Sequence, residues 1–449
     1  MSDGTRDKES GLKPALGFWS LVAVAIGSCI GSGIFRTPSE IAIALPHEGW
    51  ILAVWTLGGL VAMAGALTFS ELGGMFPGSG GVYRYLREAY GDLIAFLYGW
   101  CILTMITSGA IAALGVTFAD FLARLYPLGE SGKLIAAACS IILLSLINVF
   151  GVKWGAAVAR YITGAKLIGI AAIVVAGLTV IGGDNSWSPG SSSALQNGLG
   201  SGGLASGIAA ALVGVFWSFG GWHHTSYLAG ETTNPSKTIP RAMIIGVAVV
   251  SVSYLLTNLA YMLLLPIDEI ANSPVAAANA VEKVVPWGGR AIAAMVTVSV
   301  FGTIAIYTMS APRVYYRMAA DGNFFKSLAK IHPKYGTPAN AILAQMIWAL
   351  VLLLFFKQFV TLITYVVFTD IIFMGLAAYG LIILRRKRPD AVRPIKVWGY
   401  PVIPLFFCGV LLWFNYQVIY NNPIQIAYGL GLILLGIPLY YFLFRTNKS

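Results

Sequence analysis

The sequence predicts an all-α polytopic membrane protein with twelve transmembrane helices. Of its 449 residues, 57% are hydrophobic and only 10% are charged, whereas soluble globular proteins carry about 25% charged residues. A transmembrane helix needs about 20 consecutive, mostly apolar residues, and the chain contains twelve such stretches. This composition excludes an ordinary soluble enzyme, a disordered regulator and a fibrous repeat.

The apolar stretches also divide the chain into segments. In chain order they are residues 17–44, 50–76, 93–125, 134–151, 156–182, 205–230, 241–265, 287–319, 338–356, 358–384, 399–420 and 424–444. We expect a polar N-terminal tail (1–16) without a signal peptide, five helices in 17–182, an outer loop (183–204), five helices in 205–384, a basic cytoplasmic loop (385–398), two peripheral helices in 399–444 and a C-terminal tail (445–449).

The positions of Lys and Arg predict the orientation of the chain. If both termini are cytoplasmic, 22 of the 29 basic residues lie in cytoplasmic segments and five lie in outer loops, while Arg36 and Lys166 lie within apolar stretches. Basic loops stay on the cytoplasmic side, so we expect a multi-pass protein of the inner (plasma) membrane with both termini inside. The net charge of +11 therefore marks topology and gives no evidence for a nucleic-acid partner.

The sequence contains no pattern typical of a metal, cofactor or catalytic site. Cys29, Cys101, Cys139 and Cys408 lie in apolar stretches without CxxC spacing, and the four histidines are scattered. No Ser/His/Asp arrangement and no phosphate-binding loop is present. We therefore expect no cofactor, no bound metal and no enzymatic activity.

Two of the apolar stretches are interrupted by glycine near mid-membrane. Residues 25–35 read AIGSCIGSGIF, and residues 216–224 read FWSFGGWHH. Unwound backbone inside a bilayer is tolerated only where protein or a polar cavity satisfies its N–H and C=O groups. Breaks at corresponding positions of two five-helix halves predict the midplane substrate site of an inverted-repeat transporter. For the first helix, the alternative is that Gly27 and Gly31, at GxxxG spacing, only permit close packing.

The two breaks suit a zwitterionic substrate. Free N–H groups of residues 31–33, at the N-terminus of a half-helix, favour a carboxylate. Free carbonyls of residues 217–219, at the C-terminal end of a half-helix, are expected to accept hydrogen bonds from an ammonium group. An α-amino acid carries both groups.

Four segments, in chain order, carry a family pattern. They are IGSCIGSGIF (26–35), ELGGMFPGSGGVYRYLREAYG (71–91), FGGW followed by GETTNPSKTIPRA (219–222 and 230–242), and RKRPDAVRPIKVWGYP (386–401). Together they resemble the amino acid–polyamine–organocation superfamily of permeases, in particular its prokaryotic L-type amino acid transporter-like branch. The resemblance implies a 5+5 inverted repeat, unwound helices 1 and 6, two peripheral helices and alternating access.

The resemblance also implies roles for individual residues. Ser28, Gly31, Ser32 and Gly33 match positions that hold the substrate carboxylate, and Trp217, Ser218 and Gly220 match positions that hold the α-amino group and place an aromatic lid. The predicted substrate-binding set is Ser28, Cys29, Gly31, Ser32, Gly33, Trp217, Ser218, Phe219, Gly220 and His223.

Lys166 lies about ten residues into the fifth apolar stretch, too deep to reach the membrane surface easily. A lone intramembrane lysine is costly unless it is partnered or neutral. In sodium-independent relatives a fifth-helix lysine occupies the place of a coupling sodium ion, so the resemblance implies sodium-independent transport.

Departures from the family pattern leave substrate and coupling open. His223 and His224 stand where relatives commonly have Asn or Tyr, and Asp370 is a tenth-helix residue expected near the same cavity. Because His titrates near neutral pH, a proton-linked role is one hypothesis, and hydrogen bonding to unwound backbone is the other. Ala305 replaces a polar residue of many relatives, which leaves the substrate preference uncertain.

Other intramembrane charges are expected to form local pairs. Asp120 is expected to pair with Arg124 one turn further on, and Arg36 to cap or pair locally. Glu71 and Glu231 are expected to orient loops or to pair with nearby basic residues.

We therefore predict a sodium-independent exchanger or facilitated permease for L-amino acids with neutral side chains. The alternatives are a proton symporter, or a transporter of cationic amino acids or polyamines. Asp370 keeps a cationic substrate open, whereas a polyamine lacks the carboxylate that residues 31–33 are expected to bind. A channel or an amino-acid-sensing receptor is disfavoured, because most stretches lack polar stripes and no soluble domain is present. Residues 124–133 contain no cysteine, so the expected partners are an L-amino acid and the lipid bilayer, without a disulfide-linked heavy subunit.

Overall fold

The computed structural model describes residues 12, 14–180, 203–273, 275–356 and 358–445, and these residues are almost entirely helical. The helices are α1 (Phe18–Cys29), α2 (Gly33–Ala44), α3 (Glu48–Met75), α4 (Val82–Tyr90), α5 (Asp92–Cys101), α6 (Thr107–Leu122), α7 (Glu130–Val149), α8 (Val152–Leu178), α9 (Gly203–Phe219), α10 (His224–Tyr227), α11 (Pro235–Leu264), α12 (Ile267–Ala271), α13 (Ala276–Glu282), α14 (Gly288–Ser310), α15 (Pro312–Ala320), α16 (Ala339–Phe355), α17 (Phe359–Lys387), α18 (Val402–Asn421) and α19 (Pro423–Tyr440). The predicted all-α class is confirmed.

These helices supply the twelve predicted spans. Among the described residues, nine helical segments are long and apolar enough to cross a membrane, and three shorter apolar helices lie at Gly203–Phe219, Ala339–Phe355 and Gly429–Phe444. A π-helical turn at Ile102–Ile106 joins α5 to α6 within the third span. Residues 1–11, 183–202 and 446–449 of the predicted tails and outer loop lie outside the described residues.

The first and sixth spans are broken where the glycines predict. Residues 30–32 separate α1 from α2, and residues 220–223 separate α9 from α10. Gly221 has φ +108°, in the region that favours glycine. A Cβ at this position would lie 2.9 Å from Ser28 Cβ, so close packing against the first span requires glycine as well.

Helix packing repeats between the two halves of the chain. In the first half α1 packs against α8, and in the second half the corresponding helices α9 and α17 pack against each other. Across the halves, α8 packs against α14, and the corresponding pair α17 and α6 is also in contact. Corresponding helices also pack on each other, α3 on α11 and α6 on α14. A contact pattern that is preserved when the halves are exchanged is what an inverted repeat produces.

Two short re-entrant segments follow the same symmetry. Helix α4, after the second span, packs against α5 and α17, and α13, after the seventh, packs against α14 and α8. The family pattern predicts the first of these segments. The second was not anticipated, because the Ser- and Pro-containing stretch after the seventh span has no comparable motif.

The spans run between two ends of the bundle. We call the end with Leu16, α4 and residues 388–401 the N-terminal face, and the end with residues 45–47 and 123–129 the opposite face. At the N-terminal face, buried Glu71 pairs with Arg385 at 2.6 Å and with Arg393 at 3.1 Å, and Lys387 Nζ donates to Ala89 O. The basic segment after the tenth span thus binds the second span and the re-entrant segment, in addition to its predicted orienting role.

Candidate substrate site at the two helix breaks

The two breaks contact each other in the middle of the bundle. Ser28 Oγ lies 2.9 Å from Gly221 O. A Cβ at Gly33 would lie 2.6 Å from Ser218 Cα, so the start of α2 meets the end of α9 with no room for a side chain. Close packing and the helix break therefore occur together. The GxxxG alternative explains part of the pattern, since a Cβ at Gly27 would lie 2.2 Å from Thr163 Oγ1 of α8.

The start of α2 offers backbone donors. Among the described residues, the amide groups of Ser32, Gly33 and Ile34 have no hydrogen-bond acceptor. The first N–H groups of a helix lack intrahelical partners, and together with the helix dipole they favour an anion. These are the donors that the sequence predicts for a substrate carboxylate, and they are buried in this conformation.

The sequence predicts free carbonyls at the end of α9. In the structure these carbonyls already accept hydrogen bonds from other groups of the protein. Tyr254 Oη of α11 lies 2.9 Å from Ser218 O and 2.7 Å from Cys29 O. Cys29 Sγ is 3.4 Å from Phe219 O, and Gly220 N–H donates to Trp217 O. Tyr254 thus bridges both breaks. The sequence pattern did not single it out, although a tyrosine hydroxyl within the apolar seventh stretch is a usable signal.

Trp217 covers the free amides. Its Nε1 donates to Ser32 Oγ at 3.0 Å, and its ring meets Phe359 edge-on at 5.8 Å between centroids. Arg36 lies over the other side of this contact, with its guanidinium carbon 4.4 Å from the Phe359 centroid. The Trp217 side chain thus contacts Ser32 and also forms part of a cavity wall that Ser32 does not reach.

The prediction that Asp120 pairs with Arg124 was wrong. Asp120 pairs with Arg36 at 2.6 Å, and Lys133 Nζ is 3.6 Å from the same carboxylate. Arg124 lies beyond the end of α6 at Leu122, so the one-turn helical spacing assumed for the pair does not exist. The Arg124 guanidinium instead faces Asn279 Oδ1 at 3.5 Å.

A small cavity of about 40 Å³ lies beside the sixth-span break, between α6, α9, α14 and α17. Its walls include these candidate residues: Trp217, Gly220, His223, His224 and Asp370. The first-span candidates Ser28, Cys29, Gly31, Ser32 and Gly33 do not line it and are buried against neighbouring helices. The structure therefore brings the sixth-span candidates and Asp370 together, and it leaves the first-span candidates behind Trp217.

A second cavity of similar volume lies on the α3 and α18 side of α9. Phe216, Gly220, His223 and Asp370 line both cavities. His223 and Asp370 therefore stand between two spaces, next to the unwound backbone of the sixth span.

His224 has close side-chain partners. Its Nδ1 lies 2.6 Å from Ser310 Oγ, and its ring stacks on Tyr307 with 4.2 Å between centroids. The partner of His224 is therefore a side chain of α14, whereas the interpretation from the sequence expected unwound backbone. Among the residues that the structure describes, no group of three or more His, Cys, Asp or Glu side chains is arranged to bind a metal ion.

Lys166 binds the end of α1. Its Nζ lies 2.8 Å from Gly27 O and 2.6 Å from Thr303 Oγ1, and the side chain is buried. The Lys166 side chain thus caps a free carbonyl at the C-terminal end of α1 and joins α1, α8 and α14. The sequence pattern missed Thr303, because the run 301–306 drew attention only through Ala305.

Residues 16–441 match the family model described as amino acid permease. The chain belongs to the amino acid permease family. This permease is 31% identical to large neutral amino acids transporter small subunit 2 of Homo sapiens, over 98% of its own length and 83% of that protein. It is 30% identical to the serine/threonine exchanger SteT of Bacillus subtilis, over 98% and 99% of the two chains.

A third relative is b(0,+)-type amino acid transporter 1 of Mus musculus, 30% identical over 99% of the permease and 90% of that protein. The resemblance to the L-type branch is therefore confirmed. The family and these relatives are transporters, and the apolar helices make the permease a multi-pass membrane protein.

Proposed function

We propose that the permease is a sodium-independent secondary transporter of L-amino acids with neutral side chains, working by exchange or facilitated uptake. The observation that carries the proposal is the position of Lys166. Its Nζ donates to Gly27 O and Thr303 Oγ1 where α1 ends, so a side-chain donor already satisfies oxygens of the kind that coordinate a sodium ion. The relatives are amino acid transporters and a serine/threonine exchanger, which supports the substrate class.

The proposed binding mode follows from the free backbone groups. The amides of Ser32, Gly33 and Ile34 bind the α-carboxylate after the Trp217 indole has moved away. The α-ammonium lies beside the sixth-span break near Phe216 and Gly220, since the carbonyls of residues 217–219 are engaged within the protein. The substrate side chain then extends into the cavity.

Alternating access is proposed to open one of two sets of contacts at a time. The Arg36 closure consists of Arg36, Asp120, Trp217 and Phe359, toward the opposite face. The Arg313 closure consists of Arg313 and Glu231, toward the N-terminal face. Both closures are formed in this conformation, which supports an occluded state of the transport cycle.

We further propose that both termini face the cytoplasm and that the chain transports without a disulfide-linked heavy subunit. Basic side chains such as Arg385 and Arg393 concentrate at the N-terminal face, which supports the orientation. The connection between α6 and α7 contains no cysteine, so it offers no thiol for such a link.

Counterflow with the purified chain alone tests the function. Proteoliposomes are preloaded with unlabelled L-serine or L-leucine, and entry of the labelled amino acid is followed in sodium-free buffer. We expect preloading to accelerate entry and replacement of choline by sodium to leave the rate unchanged. Protein-free liposomes are the control. A requirement for a sodium gradient would contradict the proposal, acceleration by an imposed proton gradient would indicate symport, and entry that does not saturate would indicate a channel.

A further inference from the structure

The carboxylate of Asp370 has no partner in the described part of the chain. Its Oδ1 is buried and makes no hydrogen bond, and neither of the two cavities that Asp370 lines has a Lys or Arg in its wall. The other acids buried near the membrane faces are paired, Glu231 with Arg313 and Glu71 with Arg385. Glu231 and Glu71 therefore each face a basic side chain, whereas Asp370 faces a cavity.

The walls of the two cavities hold no Lys or Arg near Asp370, and the other ionisable side chains in them are His223, His224 and Tyr307. Tyr98 from α5, Tyr227 from α10 and Tyr307 from α14 lie within electrostatic reach of its carboxylate, and Tyr98 and Tyr227 hydrogen-bond to each other. An ionised carboxylate without a partner is costly in a largely apolar cavity. An occupant that carries a positive charge offsets that cost.

The position of Asp370 favours contact with a substrate side chain. Helix α9 packs against α2 through Ser218 and Gly33, and it also packs against α17, which carries Asp370. The free amides of α2 lie behind Trp217, whereas Asp370 lines the cavity itself. The α-carboxylate and α-ammonium of an amino acid share one carbon atom, so both stay close to those amides and the side chain extends toward α17.

We propose that Asp370 is a specificity-determining residue that binds the positively charged side chain of basic L-amino acids, so that the permease accepts lysine and arginine in addition to neutral substrates. This inference rests on the proposed function, because it uses the same binding mode. In this conformation the cavity measures only about 40 Å³, so a lysine or arginine side chain fits beside Asp370 only after the cavity widens, as the proposed movement of Trp217 allows.

The first test uses the unmodified permease and two substrates of matched length. L-lysine and L-norleucine share a four-carbon side chain, and only lysine carries the terminal ammonium. In sodium-free counterflow with internal L-serine, we expect labelled L-lysine to enter and to compete with L-norleucine. Entry of L-serine and L-norleucine without any entry or competition by L-lysine would overturn the inference and leave the proposed function intact. No entry of any amino acid would contradict the proposed function itself.

The second test compares variants of Asp370. In Asp370→Asn we expect the ratio of lysine to norleucine transport to fall by at least about tenfold, because a buried charge pair is lost. Asp370→Glu restores a large part of the ratio. Asp390→Asn removes an exposed acid in the loop after α17 and keeps the wild-type ratio.

Other results of the second test point to other roles. An equal fall for lysine and norleucine in Asp370→Asn would mean that Asp370 binds the shared α-ammonium or supports the fold, and would overturn the inference. A ratio unchanged by Asp370→Asn, with loss only of acceleration by a proton gradient, would assign Asp370 to proton coupling. Size-exclusion chromatography of each variant shows whether it is folded, and a variant that does not elute like the wild type is left out of the comparison. The test on the unmodified permease does not depend on any variant.

Discussion

The two closures of the permease use the same kinds of residue in different surroundings. In the Arg36 closure, one guanidinium nitrogen contacts Asp120, and the two side chains are 16% and 29% exposed. In the Arg313 closure, Arg313 Nε and Nη2 contact the two carboxylate oxygens of Glu231 at 2.7 and 2.9 Å, and the side chains are 0% and 2% exposed. The Arg36–Asp120 pair is thus partly hydrated and monodentate, and the Arg313–Glu231 pair is buried and bidentate.

The Arg313 closure is also attached to more of the chain. Ala15 N–H and Leu16 N–H both donate to Glu231 O, at 2.8 and 2.9 Å, and Thr233 N–H donates to Leu16 O. Arg313 Nη1, in α15, also donates to Met309 O at the end of α14. The Arg36 closure has instead the ring of Phe359 beneath its guanidinium. The difference indicates that the opposite face opens with a smaller rearrangement than the N-terminal face.

The largest expected effect comes from breaking the buried pair. Arg313→Met leaves Glu231 buried without its cation, which costs about 3–5 kcal/mol. We expect a strongly lowered Tm in detergent and loss of transport. In the double variant Arg313→Met with Glu231→Leu, stability is expected to recover partly, because apolar replacement of a whole buried pair is often tolerated. If Arg313→Met were as mild as Arg36→Gln below, the comparison between the closures would be wrong.

Tyr254 offers a test of the contacts between the two helix breaks, which belong to neither closure. Tyr254→Phe removes the hydroxyl that bridges Cys29 O and Ser218 O and keeps the ring. We expect a loss of about 1–3 kcal/mol, because buried carbonyls lose their donor, and slower counterflow. Tyr379→Phe is the matched control, since this side chain is 47% exposed. Equal Tm values for the two variants would show that the bridge contributes nothing to stability.

A smaller effect on stability is expected from the partly hydrated pair. Arg36→Gln should cost about 1 kcal/mol or less but should open the path toward the cavity. The readout is the rate at which a thiol reagent added from the opposite face modifies a cysteine introduced by Thr107→Cys, in the cavity wall. We expect faster modification with Arg36→Gln and no change with Arg124→Gln, which forms no ion pair in the described residues. Faster modification with Arg124→Gln would point to a general surface effect.

The smallest effect is expected from salt. Raising ionic strength from about 0.1 to 1 M shortens the Debye length from about 10 to 3 Å and weakens the exposed Arg36–Asp120 pair more than the buried Arg313–Glu231 pair. We expect a modest rise, about twofold or less, in Thr107→Cys modification from the opposite face. In the presence of Arg36→Gln the salt effect should disappear. Salt-dependent modification from the N-terminal face would contradict the comparison.

Much of the fold follows from local sequence patterns. Long apolar runs produce spans because the bilayer requires every backbone group to be bonded within a helix. The breaks at residues 30–32 and 220–223 follow from glycines within those runs. Lys166 stood out because an isolated lysine at that depth needs a partner, although the sequence did not indicate that the partner is Thr303.

The sequence by itself determined the class of the protein, the order of its spans and the positions of the two helix breaks. Only the tertiary structure decided which groups are left for the substrate. The Tyr254 hydroxyl hydrogen-bonds to the Ser218 carbonyl, which the sequence predicted to be free, and Trp217 hydrogen-bonds to Ser32 at the start of α2. Arg36 pairs with Asp120 instead of a neighbour in sequence. The reason is that hydrogen bonds and ion pairs between helices depend on distances in space, and residues far apart in the sequence provide the partners.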